Sequence, residues 1–176
     1  METKNKRLER ICGFYVSDWH LATMLLPYIN KRLEENIKVI TILEESIEDN
    51  IKTLLKKLNL NNQEKIAKIN WKNINLNEKK KIKEILNKEI KEKTDKIILI
   101  NGKKDFINEC NNKIDKWIES KNLKTKIKII NLFKVTDFNN NIIKILDNHD
   151  KILNTSGEKE ITEVFEDYHR EDIIGK

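Results

Sequence analysis

With 176 residues, the chain has room for one domain that buries roughly two-thirds of the surface its unfolded form exposes. Apolar residues make up 38% and charged residues 36%; no run of about 18 apolar residues marks a membrane span, and the opening Met1 to Arg7 leads into no uncharged signal-like stretch. The two cysteines, Cys12 and Cys110, are too few for a disulfide scaffold and lack metal-knuckle spacing, and the net charge of +6 is scattered lysine rather than a basic, aromatic-rich face. The expectation is a cytoplasmic protein with reduced, buried thiols, no metal or cofactor, no membrane attachment and no direct contact with nucleic acid.

In chain order, the apolar run Ile11 to Val16 is rich in β-formers and is followed by Ser17 and Asp18, either of which can cap a helix. From Leu21, the apolar positions 21, 24, 25, 28, 29 and 33 repeat at three and four residues, so a helix burying one face is predicted. Pro27 lies inside that helix, where its missing donor should kink or divide it. Lys38 to Leu43 reads as a strand buried on both faces, and Ile47, Ile51, Leu54, Leu55 and Leu58 mark a second helix. A weaker strand is predicted over Lys65 to Trp71, then a lysine-rich helix whose stripe is Ile82, Ile85, Leu86 and Ile90.

Lys96 to Gly102 is the clearest central strand, followed by a helix presenting Phe106, Cys110, Ile114, Trp117 and Ile118. Lys126 to Phe133 is the next strand, a short helix carries Ile142, Ile143 and Leu146, and Ile152-Leu153 is the expected last edge. This alternation predicts a single three-layer α/β domain: a mainly parallel sheet with helices on both faces, RecA-like or Rossmann-like. The expected organisation is a basic segment over 1–9, the α/β domain over 10–157, and an acidic helix or tail over 158–176. In that last segment Ile161, Val164, Phe165 and Tyr168 share a helical face, either to pack back on the domain or to hold another protein.

Open parallel sheets bind ligands beyond the carboxyl ends of their strands, because helix amides point there and loops can vary without disturbing the core. The loops so nominated carry Tyr15, Asp18, Trp19 and His20 after the first strand, Glu44 after the second, Asn101 with Gly102 and the following lysines after the central strand, and Asp137 with Phe138 after the next. Tyr15, Asp18, Trp19, His20, Glu44, Asn101 and Asp137 are the candidate ligand-binding set. No catalytic residue is assigned.

A phosphate loop needs glycines and a lysine between the first strand and helix, and Val16-Ser17-Asp18-Trp19-His20-Leu21 has neither. No dinucleotide GxGxxG and no G-x-S-x-G elbow occurs. His20 beside Asp18 could serve as base, ligand donor or metal ligand, although no second His or Cys stands at metal spacing and a structural or ligand-contacting role is the simpler reading. His149 reads as a helix cap, His169 lies in the acidic tail, and Trp19, Trp71 and Trp117 read as core or pocket wall. Asp137 could equally start the helix that follows it.

The order Ile11-Cys12-Gly13-Phe14-Tyr15, Leu25-Leu26-Pro27-Tyr28-Ile29, Leu33-Glu34-Glu35-Asn36 and Lys38 to Leu43 resembles the MEDS domain, the sensory domain of methanogen and methylotroph regulators. Ile130 to Phe133, Asp137-Phe138, Ile142 to Leu146 and the H-x-x-I-L of His149 to Leu153 look like its closing strand, helix and end. The resemblance runs from about residue 10 to 157 and implies a RecA- or clock-ATPase-like fold without its phosphate loop. It also implies a sensor attached to a kinase, a DNA-binding regulator or an anti-sigma module. Two positions depart from that pattern: Arg10 stands where the family often has histidine, and Asn101-Gly102-Lys103-Lys104-Asp105-Phe106 replaces a Gly-acidic-aromatic segment.

The expectation is therefore a non-enzymatic sensor or adaptor that binds a small molecule or a regulatory protein partner at the strand-end rim. The partner would be a kinase, a sigma-factor regulator or a transcription regulator, and self-association is left open. The alternatives are a degenerate nucleotide-binding module or small hydrolase using Asp18, His20 and Glu44, and a regulator that only sequesters a protein partner.

Overall fold

In the computed structural model the described residues are 8–74, 81–89, 93–121, 124–137 and 142–169, the side chain of Asp137 excepted. Six strands form one sheet: β1 (Leu8–Tyr15), β2 (Lys38–Leu43), β3 (Lys96–Asn101), β4 (Ile127–Lys134), β5 (Lys151–Asn154) and β6 (Gly157–Lys159). Their order is β2-β3-β4-β1-β5-β6, with every pair parallel except β5 and β6. The helices are α1 (Asp18–Glu34), α2 (Glu48–Lys57), α3 (Gln63–Lys68), α4 (Lys81–Glu89), α5 (Lys104–Glu119), α6 (Ile142–Asp147) and α7 (Ile161–Val164). The chain is a three-layer α/β fold.

Strand alternation divides the interior in two. Ile97 and Leu99 of β3 face the layer of α1, α2 and α3, whereas Ile98 and Ile100 face α4 and α5. Each face is sealed by helix stripes: Leu21, Leu25 and Ile29 on the first side, and Phe106, Cys110, Ile114 and Trp117 on the second. Burial pushes both thiols up, to about 12 for Cys12 and for Cys110, so they pack as small hydrophobes and not as nucleophiles.

Three expectations are corrected. Helix α1 runs undivided through Pro27; Pro27 and Thr23 both lie on its exposed side, where water can take the carbonyl that proline leaves without a donor. Lys65 to Trp71 is not a strand but α3 followed by extended chain. Ile66 and Ile69 stand at the helical spacing of three, only Ile69 and Trp71 alternate as a strand would, and the buried Trp71 indole donates to Ile66 O at 2.9 Å, closing the helix end. The sheet does not end at Ile152-Leu153, because β6 adds an antiparallel edge through a turn in which Gly157 takes φ 104, a left-handed conformation suited to glycine. The acidic segment, expected either to pack back as a helix or to hold another protein, begins in β6, and its described part folds back onto the domain. Ile161 and Tyr168 are buried, while Val164 is exposed.

Glu158 of β6 shows why the edge holds. Its carboxylate accepts from Tyr28 Oη at 2.5 Å, from Arg32 at 3.2 Å and from Lys128 at 2.9 Å, so the last strand is tied to α1 and β4 by charge rather than by apolar surface. Burial alone would raise its pKa, but the hydrogen bonds from Lys128 and Tyr28 and the charges of Lys128 and Arg32 outweigh burial and hold it below the ordinary 4.5. The same contact, after burial, drives the Tyr28 hydroxyl up.

Candidate functional site

The carboxyl ends of β1, β2 and β3 converge on a hollow of about 150 Å³ whose wall includes Tyr15, Asp18, Glu44 and Asn101. Four of the seven candidate residues are thus brought together, alongside Glu45, Lys103 and Lys134. Trp19 and His20 do not line it, and the side chain of Asp137 lies outside the described residues.

Three of the hollow's polar side chains, Tyr15, Glu44 and Asn101, are already engaged. Asn101 and Tyr15 are buried, and the Asn101 amide donates to Tyr15 Oη at 2.7 Å and to Leu132 O at 3.1 Å, tying β3 to β1 and β4. The backbone N–H of Lys103, at the start of α5, donates to Glu44 Oε1 at 2.7 Å, so this carboxylate sits at the positive end of a helix whose own N-cap side chain makes no capping bond. Gly102 makes the approach possible: a Cβ there would lie 2.8 Å from both Glu44 Cβ and Oε1 and 2.6 Å from Phe106.

The turn from β1 to α1 is closed in the same way. Ser17 Oγ accepts from the His20 N–H at 3.2 Å, and His20 Nδ1 accepts from the Val16 N–H at 3.0 Å. Leu21 N–H reaches Ser17 O at 2.9 Å. The amides of Val16, His20 and Leu21 are thus committed to their own turn, and Asp18 adds negative charge to it. His20 is therefore a structural element of the turn. Beside the exposed charges of Asp18 and Glu45 the rim offers apolar surface: Val16 is 60% exposed, Trp19 51% and Val135 37%. Val16 and Val135 leave adjacent strands one residue beyond the paired Tyr15 and Lys134. Trp19 is not part of the core and does not line this hollow, whereas Trp71 and Trp117 are buried.

A second polar assembly lies on the opposite face of the sheet, between α5 and α6. Arg10 Nε donates to Asn111 Oδ1 at 3.2 Å, the Asn111 amide donates to Asn131 Oδ1 at 2.8 Å, and the Asn131 amide meets His149 Nε2 at 2.9 Å. His149 Nδ1 donates to Ile145 O at 2.5 Å, which fixes Nε2 as an acceptor and fulfils the expected capping role at the end of α6. Arg10 also pairs with Asp115. The rule of loops at strand ends could not nominate this group, because Arg10 and Asn131 lie within strands, Asn111 and Asp115 lie within α5, and His149 precedes β5 instead of following a strand. Its one legible signal is Asn131, a lone polar residue inside the apolar run Ile129 to Phe133. Comparisons with protein-family models, with curated proteins and with solved structures found no match to the chain.

Proposed function

We propose that the chain is a non-enzymatic sensor or adaptor module whose strand-end rim docks a regulatory protein. The observation that carries this reading is the exposure of three large apolar residues at the strand ends, Val16, Trp19 and Val135, beside a hollow in which Tyr15, Glu44 and Asn101 are bonded to the protein itself. A tryptophan half open to water, next to the exposed Asp18 in the chain, has the make-up of an interface anchor: aromatic area with charge beside it. A partner would be a kinase, a sigma-factor regulator or a transcription regulator, the class that the resemblance to the MEDS domain implies. The bonding of His20 back to Val16 and Ser17, and of Glu44 to the Lys103 N–H, weighs against a nucleotide-binding or hydrolytic role for these side chains.

The test is affinity capture with the full chain and with Trp19→Asp, each checked for folding by circular dichroism. A regulatory protein retained by the wild type and lost from the folded variant is the expected result. Equal retention by both removes the rim from consideration. Calorimetric titration with ATP and GTP should show no binding, and micromolar affinity for either would return the nucleotide reading to first place.

A further inference from the structure

We propose that the cleft between α5 and α6 is a binding site for a small organic anion bearing a carboxylate or a phosphate, separate from the rim. The cleft encloses about 510 Å³, within the range of small-molecule sites, and is floored by Asn131 and Phe133 of β4. Apolar area comes from Phe133, Ile107 and Ile145, which suits the body of a ligand, while its polar groups are numerous and convergent.

Charge sets the class of ligand. Arg10, Lys104 and Lys144 face the cleft against one carboxylate, Asp115, and that carboxylate is engaged by Arg10. Lys104 and Lys144 make no ion pair among the described residues and leave the cleft with a net positive field. Geometry sets the receptor. The guanidinium of Arg10 is held at Nε by Asn111 and at its terminal nitrogen by Asp115, so its position is fixed before any ligand arrives. Behind it, the hydrogen bonds through Asn111, Asn131 and His149 to Ile145 O each have a matched donor and acceptor.

Asn131 and His149 are 2% and 5% exposed, and a buried amide in a central strand costs stability relative to a well-packed apolar residue unless its bonds are used. This relay orients a cation towards an open volume, as a preorganised anion receptor requires.

The test is an NMR titration of the labelled full chain with succinate and, separately, with inorganic phosphate, reading the side-chain amides of Asn111 and Asn131 and the ring of His149. Saturable shifts at these groups with either probe support the site, and the probe that binds more tightly names the anion. The affinity should fall roughly tenfold in Lys144→Glu, an exposed change that leaves the fold intact, and should be abolished in Arg10→Ala. It should be unchanged in Trp19→Ala, which reports on the rim alone. No shift with either probe, shifts spread over surface lysines without saturation, or affinity indifferent to Lys144→Glu overturns the proposal. Loss of binding in Trp19→Ala would move the ligand to the rim and overturn it as well.

Discussion

The two ends of the sheet, on the side covered by α1, solve the same problem with different chemistry. At the carboxyl end, neutral groups join the strands: Asn101 bonds Tyr15 and the carbonyl of Leu132. At the amino end the joint is ionic, with Glu158 held by Tyr28, Arg32 and Lys128, and with Glu9 3.7 Å from both Lys128 and Lys151. Neutral bonds keep their strength as pH changes; the ionic joint depends on one carboxylate staying charged. The two ends should therefore separate under acid, and the apolar layer between them should respond like neither.

That apolar layer gives the largest expected effect. Leu25, fully buried between the two ends, should lose about 2–5 kcal/mol of stability on Leu25→Ala, measured by urea unfolding. A loss under about 0.5 kcal/mol would place α1 wrongly on the sheet. Next comes Glu158→Ala, which removes the acceptor of the Tyr28 hydroxyl and one of the two carboxylate partners of both Arg32 and Lys128, leaving them Glu35 and Glu9. Complete burial would put the loss near 3–5 kcal/mol, but the Lys128 side chain is 28% exposed, so about 2–3 kcal/mol is expected at pH 7.

The pH dependence follows from the lowered pKa of Glu158. Because its folded value lies below the ordinary 4.5, the stabilisation is present above 4.5 and is lost as pH falls through the folded value. The gap between wild type and Glu158→Gln in unfolding midpoints should therefore narrow as pH drops below about 4.5; a gap constant from roughly pH 7 to 3 would show that the joint does not act through charge.

Asn101→Ala tests the neutral end, at about 1–3 kcal/mol for leaving the Tyr15 hydroxyl and a buried carbonyl short of a donor. Its effect should not change between pH 7 and 3, when measured as the difference from wild type in the same unfolding series. If it tracks pH as Glu158→Gln does, the contrast between the two ends fails.

The same contrast explains how much could be read from sequence. Lys38 to Leu43 and Lys96 to Asn101 were legible because strands buried on both faces must be apolar throughout, and the rule that ligands gather at strand ends brought Tyr15, Asp18, Glu44 and Asn101 to one hollow. Strand β6 was illegible because Gly-Glu-Lys carries no apolar signal, and its anchor, Glu158, finds partners on α1 and β4 that are 126 to 130 and 30 residues away. The relay through Asn131 was hidden for a related reason: pairing it with Asn111 and His149 requires knowing that α5 and α6 flank the same strand. At the rim, the residue types were found but their commitments were not, since sequence position cannot show that His20 turns back to Val16 or that Glu44 meets α5.

The smallest effect on stability is expected where the proposed effect on function is largest. Trp19 is half exposed, and its backbone carbonyl, the acceptor for Thr23 Oγ1 at 2.8 Å, survives any side-chain change. Trp19→Ala should therefore shift stability by less than about 0.5 kcal/mol, the range for surface substitutions away from caps and cores. A large exposed aromatic that contributes nothing to folding is a cost in solubility unless something covers it, and truncating such an anchor in an interface commonly costs about 2 kcal/mol or more of binding. Unfolding measured beside partner capture separates these quantities. A stable Trp19→Ala that no longer retains the wild-type partner places the contact on the rim, whereas a variant destabilised by about 2 kcal/mol would show that Trp19 supports the first turn of α1 and is part of the fold.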